Sequence, residues 1–257
     1  MNVPYPSSST MSWRFLRSAL ECIRPPVRAS PAPSEWNPET PASVLLSATC
    51  LESFANEVSS LTAAFFFDRR VAAYLSAADR ASGLPDGFVE GAVARIRDDP
   101  GTGVDARFRD LLDAVGGKRP AVLKELALLG ELRDALVHQR ACDIPAVDRE
   151  HETIRFFQNP PPAFRRLRLV TFHGRPLLGK DIPNDESSWT VRVSTGAVGL
   201  WALESTVVAI THLLDGLPGG AYREAVVGAY RPPGVASETV FHELEGELAA
   251  LRPHVLT

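Results

Sequence analysis

From Pro41 onward the apolar positions recur at helical spacing. In PASVLLSATCLESFANEVSSLTAAFFFDRRVAAYL, Val44, Ala48, Leu51, Ala55, Val58 and Phe65 fall on one side of a helix. Leu45, Phe54 and Leu61 widen that side beyond a single stripe, so the helix is buried from more than one direction. Glu52 and Asn56, one turn apart, mark its polar flank. Thr40 followed by Pro41 reads as an N-cap and a proline at the first helical position.

The same period returns several times. Gly83-Leu84-Pro85-Asp86-Gly87 is a turn, after which GFVEGAVARIRDD reads as a short helix ended by DPGTG. VDARFRDLLDAV over 104–115 places Phe108, Leu111, Leu112 and Val115 together. Pro120 opens AVLKELALLGELRDALVHQR, where Leu129, Leu132 and Leu136 form one buried stripe. STGAVGLWALESTVVAITHLL predicts a long apolar helix capped by Ser194 or Thr195 and stopped at Gly216. AYREAVVGAY and SETVFHELEGELAALR supply two more. No alternation of strand and helix marks a parallel sheet, so the class predicted is all-α.

Two stretches break the pattern. Residues 1–40 hold YPSSST and RPPVRASPAPSEWNPETP, which predict a disordered tail, although MSWRFLRSALECIR has the makings of a short amphipathic helix. Residues 143–193 contain NPPP, a basic run RRLRLVTFHGR, and the alternating segments RLRLVTF and WTVRV; they predict an irregular insert with a two-stranded ribbon. The division expected is therefore a tail over 1–40, a helical domain over 41–216 with its insert at about 143–193, and a C-terminal helical extension over 217–257.

Composition adds limits. Apolar content of 45% and charged content of 23% are those of a folded domain. A formal charge of −4 argues against a generally basic coat for nucleic acid while leaving room for a local basic patch. Cys22, Cys50 and Cys142 are odd in number, widely spaced and without CxxC, which favours free thiols in a reducing compartment. No uninterrupted apolar run reaches the ~18 residues of a membrane span. Arg14, Arg17 and Glu21 interrupt the N-terminal apolar residues where a signal peptide would have its core. The expectation is a cytoplasmic protein with no membrane segment.

Familiar catalytic motifs fail on inspection. HELEGE at 242–247 and His151-Glu152 lack the second histidine of a zinc-protease helix. GTG and LPGG have no following GK[ST], and there is no GxSxG. No cofactor or metal is expected. What remains is the end of the stripe-bearing helix, where Arg133, Asp134 and His138 stand together. Asp134 and His138 are at i and i+4, so the carboxylate can orient the imidazole. Arg133 beside them has a fork suited to phosphate oxygens. A proton-transfer group, its orienter and an anion clamp within one and a half turns suit phosphodiester cleavage; the same triplet also suits a solvated ion pair at a helix end.

RDALVH at 133–138 resembles the R-x4-6-H signature of the HEPN superfamily. SATCLESFANEV resembles that family's opening helix, and GAVGLWALEST, following a long insert, a later one; the likeness covers about residues 41–216. It implies a HEPN-like helical bundle that forms a homodimer through its motif helices, with metal-independent RNA cleavage between protomers. It assigns proton transfer to His138, phosphate contact to Arg133 and the polar position after Arg to Asp134. The branch of the family modified on tyrosine carries that tyrosine where this chain has Arg140. Other members are catalytically silent modules that bind RNA or a partner protein.

The function expected is an endoribonuclease acting by 2′-hydroxyl attack, in a toxin–antitoxin or phage-defence setting, with an antitoxin as a possible regulatory partner. The alternatives are a silent HEPN module and a helical scaffold with no nucleic-acid role. Arg140, Arg165, Arg166, Arg168 and Arg175, with His173 and Lys180 nearby, are candidates to track an RNA backbone; a charged strand edge would carry the same residues. Trp189 and Trp201 read as core residues rather than base-stacking platforms.

Overall fold

A computed structural model describes residues 10–24, 37, 39–73, 75–77, 80, 83–84, 88, 103–114, 121–138, 145–148, 153–156, 160–178, 189–231 and 239–256. Among these residues the fold is all-α apart from two short ribbons. The helices are α1 (Ser12–Ile23), α2 (Thr40–Phe67), α3 (Arg69–Ala72), α4 (Val104–Ala114), α5 (Leu123–Val137), α6 (Pro162–Leu167), α7 (Trp189–Val193), α8 (Gly196–Gly216), α9 (Ala221–Gly228) and α10 (Val240–Leu256). Strands β1 (Pro145–Asp148) and β2 (Thr153–Phe156) pair antiparallel with Pro145 opposite Phe156, and β3 (Thr171–Phe172) pairs with β4 (Arg175–Pro176).

The long helices follow the apolar pattern. In α2, Val44, Ala48, Leu51, Phe54, Ala55, Val58, Leu61 and Phe65 are all buried, while Asn56 is exposed. Its start differs from the expectation in one respect. Asn37, not Thr40, caps it: the Asn37 carboxamide oxygen accepts the Glu39 amide at 2.9 Å, and the Thr40 hydroxyl is buried without a partner. Thr195 does cap α8, its hydroxyl accepting the Val198 amide at 3.4 Å. Helix α8 is, among the described residues, the one long and apolar enough to cross a membrane, and 89% of its most apolar stretch is buried inside the protein.

The expected tail is corrected over residues 12–23. They form α1, with Leu16, Ala19, Leu20 and Ile23 buried. Flanking prolines pointed to disorder, but a helix needs only its own residues free of them, and this one is capped from a distance. The Glu57 carboxylate accepts the Met11 amide at 2.7 Å, the Ser12 amide at 2.9 Å and the Ser12 hydroxyl at 2.7 Å. An acid at that end satisfies free amides and complements the helix dipole.

The described residues form two compact units. The first takes in those of Met1–Arg14, Thr49–Ala127 and Thr206–Gly246; the second, those of Phe15–Ala48, Leu128–Ser205 and Glu247–Thr257. The first unit is built on aromatic contacts. Phe54 stacks on Phe108 at 5.8 Å and meets Tyr230 at 5.2 Å and Phe241 at 5.6 Å. The Tyr230 hydroxyl reaches Glu57 at 3.0 Å, and that of Tyr222 bonds Thr62 at 2.8 Å. The second unit packs Leu16, Leu20, Leu129, Leu132, Phe164 and Trp201, all buried. At Gly199 a Cβ would lie 2.4 Å from Ile23 Cγ2, so only glycine lets α1 approach α8 this closely.

Burial pushes Tyr222 up to about 12, with the Thr62 hydrogen bond working in the opposite direction. Its phenol is therefore protonated in the fold at pH values where the unfolded chain, near ~10, has begun to ionise. Stability from this group is intact below that value and lost as pH climbs towards the folded one, a loss of about 2–3 kcal/mol. Alkaline titration followed by fluorescence should show unfolding in that window, delayed to higher pH in Tyr222→Phe. Coincident unfolding of both proteins would show that Tyr222 does not set the transition.

The insert departs from its expected strands. Arg166 and Leu167 of RLRLVTF fall in α6 and WTVRV forms α7, whereas Thr171 and Phe172 at the end of RLRLVTF do form a strand, β3. Pro161 and Pro162 start α6, whose Ala163, Phe164 and Leu167 turn inward; in α7, Trp189, Arg192 and Val193 do so. That is helical spacing hidden within short alternating runs. The β3–β4 hairpin turns on His173 and Gly174, with φ of 47° and 79°, the left-handed pair that a two-residue type I′ turn requires. The predicted helix over GFVEGAVARIRDD lies, apart from Phe88, outside the described residues. Cys22 and Cys50 are free, and burial raises both thiols, Cys50 strongly, with the charges of Glu39 and Glu21 adding to it at Cys22 and that of Glu57 at Cys50.

Candidate functional site

Helix α5 presents the motif. Leu129 and Leu132 are fully buried, whereas Leu136 is only half-buried, so the inward stripe loosens at the C-terminal end. Arg133 is half-buried there, and Asp134 and His138 are exposed. The His138 amide donates to the Asp134 carbonyl at 2.9 Å, carrying the helical bonding one residue past Val137. His138 therefore stands one turn beyond Asp134 on the same side. All three motif residues reach solvent from one helix end.

Their pairing is not the expected one. The Asp134 carboxylate accepts from Arg133 Nη1 at 2.7 Å, and among the described residues no hydrogen bond joins it to the His138 ring. A guanidinium is always charged and rides a long stem, so it competes better for a carboxylate than an imidazole at a helix end. His138 is thus presented to solvent, with no acid orienting its ring among the described residues.

Arg165 and Arg166 lie on α6 and Arg168 directly follows it; all three are exposed. Arg166 pairs with Glu131 on α5, which brings the basic helix against the motif helix. Arg175 is exposed on β4. Arg140 and Lys180 lie outside the described residues. The basic run is accordingly a helix followed by a hairpin, not the edge of a long strand.

A second cluster escaped the sequence reading. Glu204, buried on α8, accepts from His173 Nε2 at 2.7 Å and from Arg252 Nε at 3.0 Å. The His173 ring also meets that of Phe172 at 4.3 Å. One signal was available: Glu204 is the only carboxylate between Gly196 and Leu214, within an otherwise apolar helix. Its partners, 31 and 48 residues away, carried none. This arrangement holds an imidazole in a fixed orientation, a positioning that the motif histidine lacks. Among the described residues no three His, Cys, Asp or Glu side chains are grouped to hold a metal ion.

No family model, no curated protein and no solved structure matches the chain.

Proposed function

We propose that the protein is an RNA-directed endoribonuclease of the HEPN type, with Arg133 and His138 as its working pair. The observation that carries this reading is the joint presentation of the two. They sit five residues apart on the solvent-facing end of a helix whose other face is buried, and the Arg166–Glu131 pair brings Arg165 and Arg168 to that helix. A mobile proton carrier, an anion clamp and a basic surface are what phosphodiester cleavage asks for.

His138 takes the proton of the RNA 2′-hydroxyl as the O2′–P bond forms. The P–O5′ bond then breaks, and the proton is returned to the leaving 5′-oxygen. Arg133 offsets the charge that builds on the phosphoryl oxygens. The products are a 2′,3′-cyclic phosphate and a 5′-hydroxyl. One Arg–His pair is a thin constellation for this reaction, and a homodimer across the α5 ends doubles it. The exposure of Val137 at 55%, within the motif itself, supplies apolar surface for that contact.

An oligoribonucleotide with a single 2′-deoxy substitution at the cut site should resist cleavage, while the all-ribo strand is cut equally well in EDTA. Cutting of the deoxy strand, or activity lost in EDTA and restored by Mg²⁺, would refute the mechanism. One observation favours a second reading, a silent RNA-binding module: Asp134 is engaged by Arg133 and leaves His138 without its orienter. In that case RNA is bound and recovered intact.

A further inference from the structure

Arg192 is a cation in surroundings that do not suit one. It lies on α7, is only 8% exposed, and has its guanidinium 4.9 Å from the centre of the Phe164 ring. Its Nε is enclosed with no hydrogen-bond partner. Among the described residues no carboxylate pairs with it. The charge that acts on it is the like-signed Arg168, which, after burial itself, pulls the guanidinium below its usual value. A buried charge without a counter-ion is among the least favourable arrangements a fold can hold, and arginine does not escape it by losing its proton. Arg168 follows Phe164 by one turn, its amide donating to the Phe164 carbonyl at 3.2 Å, so both guanidiniums lie on the Phe164 side of α6 and can share an anion.

We propose that Arg192 and Arg168 form a seat for a phosphate group. The planar Arg192 fork can take two phosphate oxygens side by side, and Phe164 fixes the plane of that fork by lying against it. Arg168, exposed at the end of α6, closes on the remaining oxygens from the solvent side. The phosphate belongs either to an RNA backbone or to a small phosphorylated molecule. Neither Arg133 nor His138 takes part, so the seat goes beyond the cleavage reaction and stands or falls apart from it. The WTVRV segment, taken as a strand, hid Arg192; a helix turns it inward beside Trp189 and Val193.

The test uses the full chain with two probes, a short fluorescent oligouridylate and inorganic pyrophosphate. Arg192→Met keeps an unbranched stem against Phe164 and removes the unpaired charge, so it should melt no lower than the wild type. It should bind the oligouridylate about tenfold more weakly, with the salt dependence of binding reduced by about one phosphate contact. Arg168→Met should behave alike. If Arg192→Met fails to fold, Arg168→Met decides alone, because that side chain is exposed. Pyrophosphate raising the melting temperature of the wild type but not of the variants, with no oligouridylate bound, would keep the seat and remove the RNA reading. Oligouridylate bound equally by all the proteins, with no response to pyrophosphate, would keep the RNA reading and remove the seat. Wild-type protein binding neither probe overturns the proposal.

Discussion

His138→Ala should slow RNA cleavage by about a hundredfold or more, the usual scale for losing a general acid–base group. Arg133→Ala should lose a similar factor through the phosphate, and Arg133→Lys should recover part of it, since an ammonium keeps the charge without the fork. The fold should scarcely respond. His138 is exposed, and its backbone bond to Asp134 does not depend on the ring. Arg133 leaves behind an exposed carboxylate that water can solvate. Exposed substitutions of this kind stay within about 0.5 kcal/mol. The measurement is single-turnover cleavage of a labelled RNA beside thermal unfolding of the same preparations. Unchanged cleavage with an unchanged melting temperature would make the motif a solvated ion pair and nothing more. A collapse of the fold in His138→Ala would show that the exposed position of His138 is wrong.

Deleting residues 1–24 should abolish the cooperative thermal transition. Helix α1 buries Leu16, Leu20 and Ile23 almost completely, together with Ala19. Each of the larger three contributes about 1.5–3 kcal/mol by burial, and domains hold about 5–15 kcal/mol in all. The deletion also uncovers the space at Gly199 that Ile23 fills and strips Glu57 of its Met11 and Ser12 donors. Point variants separate these effects. Leu16→Ala and Leu20→Ala should each cost about 2–5 kcal/mol through the cavity they leave. A truncated protein that melts as the full chain does would return residues 12–23 to the tail that the prolines around them suggested.

Much of the helical fold was legible because long helices repeat their signal. Over the length of α2, α5 and α8 the apolar residues return often enough to mark both the element and its buried face. A polar cap such as Thr195, or a stop such as Gly216, acts within one turn and is read directly. Short segments lack that redundancy. In RRLRLV and WTVRV a period of two and a period of 3.6 mark nearly the same residues, and burial of Phe164, Leu167, Trp189 and Val193 selects the helix. Spacing placed Arg133, Asp134 and His138 on one helix end, yet it allowed Asp134 two partners of equal reach.

The amino-acid order by itself determined what depends on near neighbours: the all-helical class, the stripes of the long helices and the residues carried on the solvent side of α5. Tertiary structure decided what depends on residues far apart in the chain. Glu57 caps a helix whose first residue precedes it by 45 positions, Glu204 gathers His173 and Arg252, and Arg192 is enclosed beside Phe164. The physical reason is range. Helix periodicity and capping are set within a few residues, whereas the partner of a charge and the burial of a cation are set by which surfaces meet when the chain closes on itself.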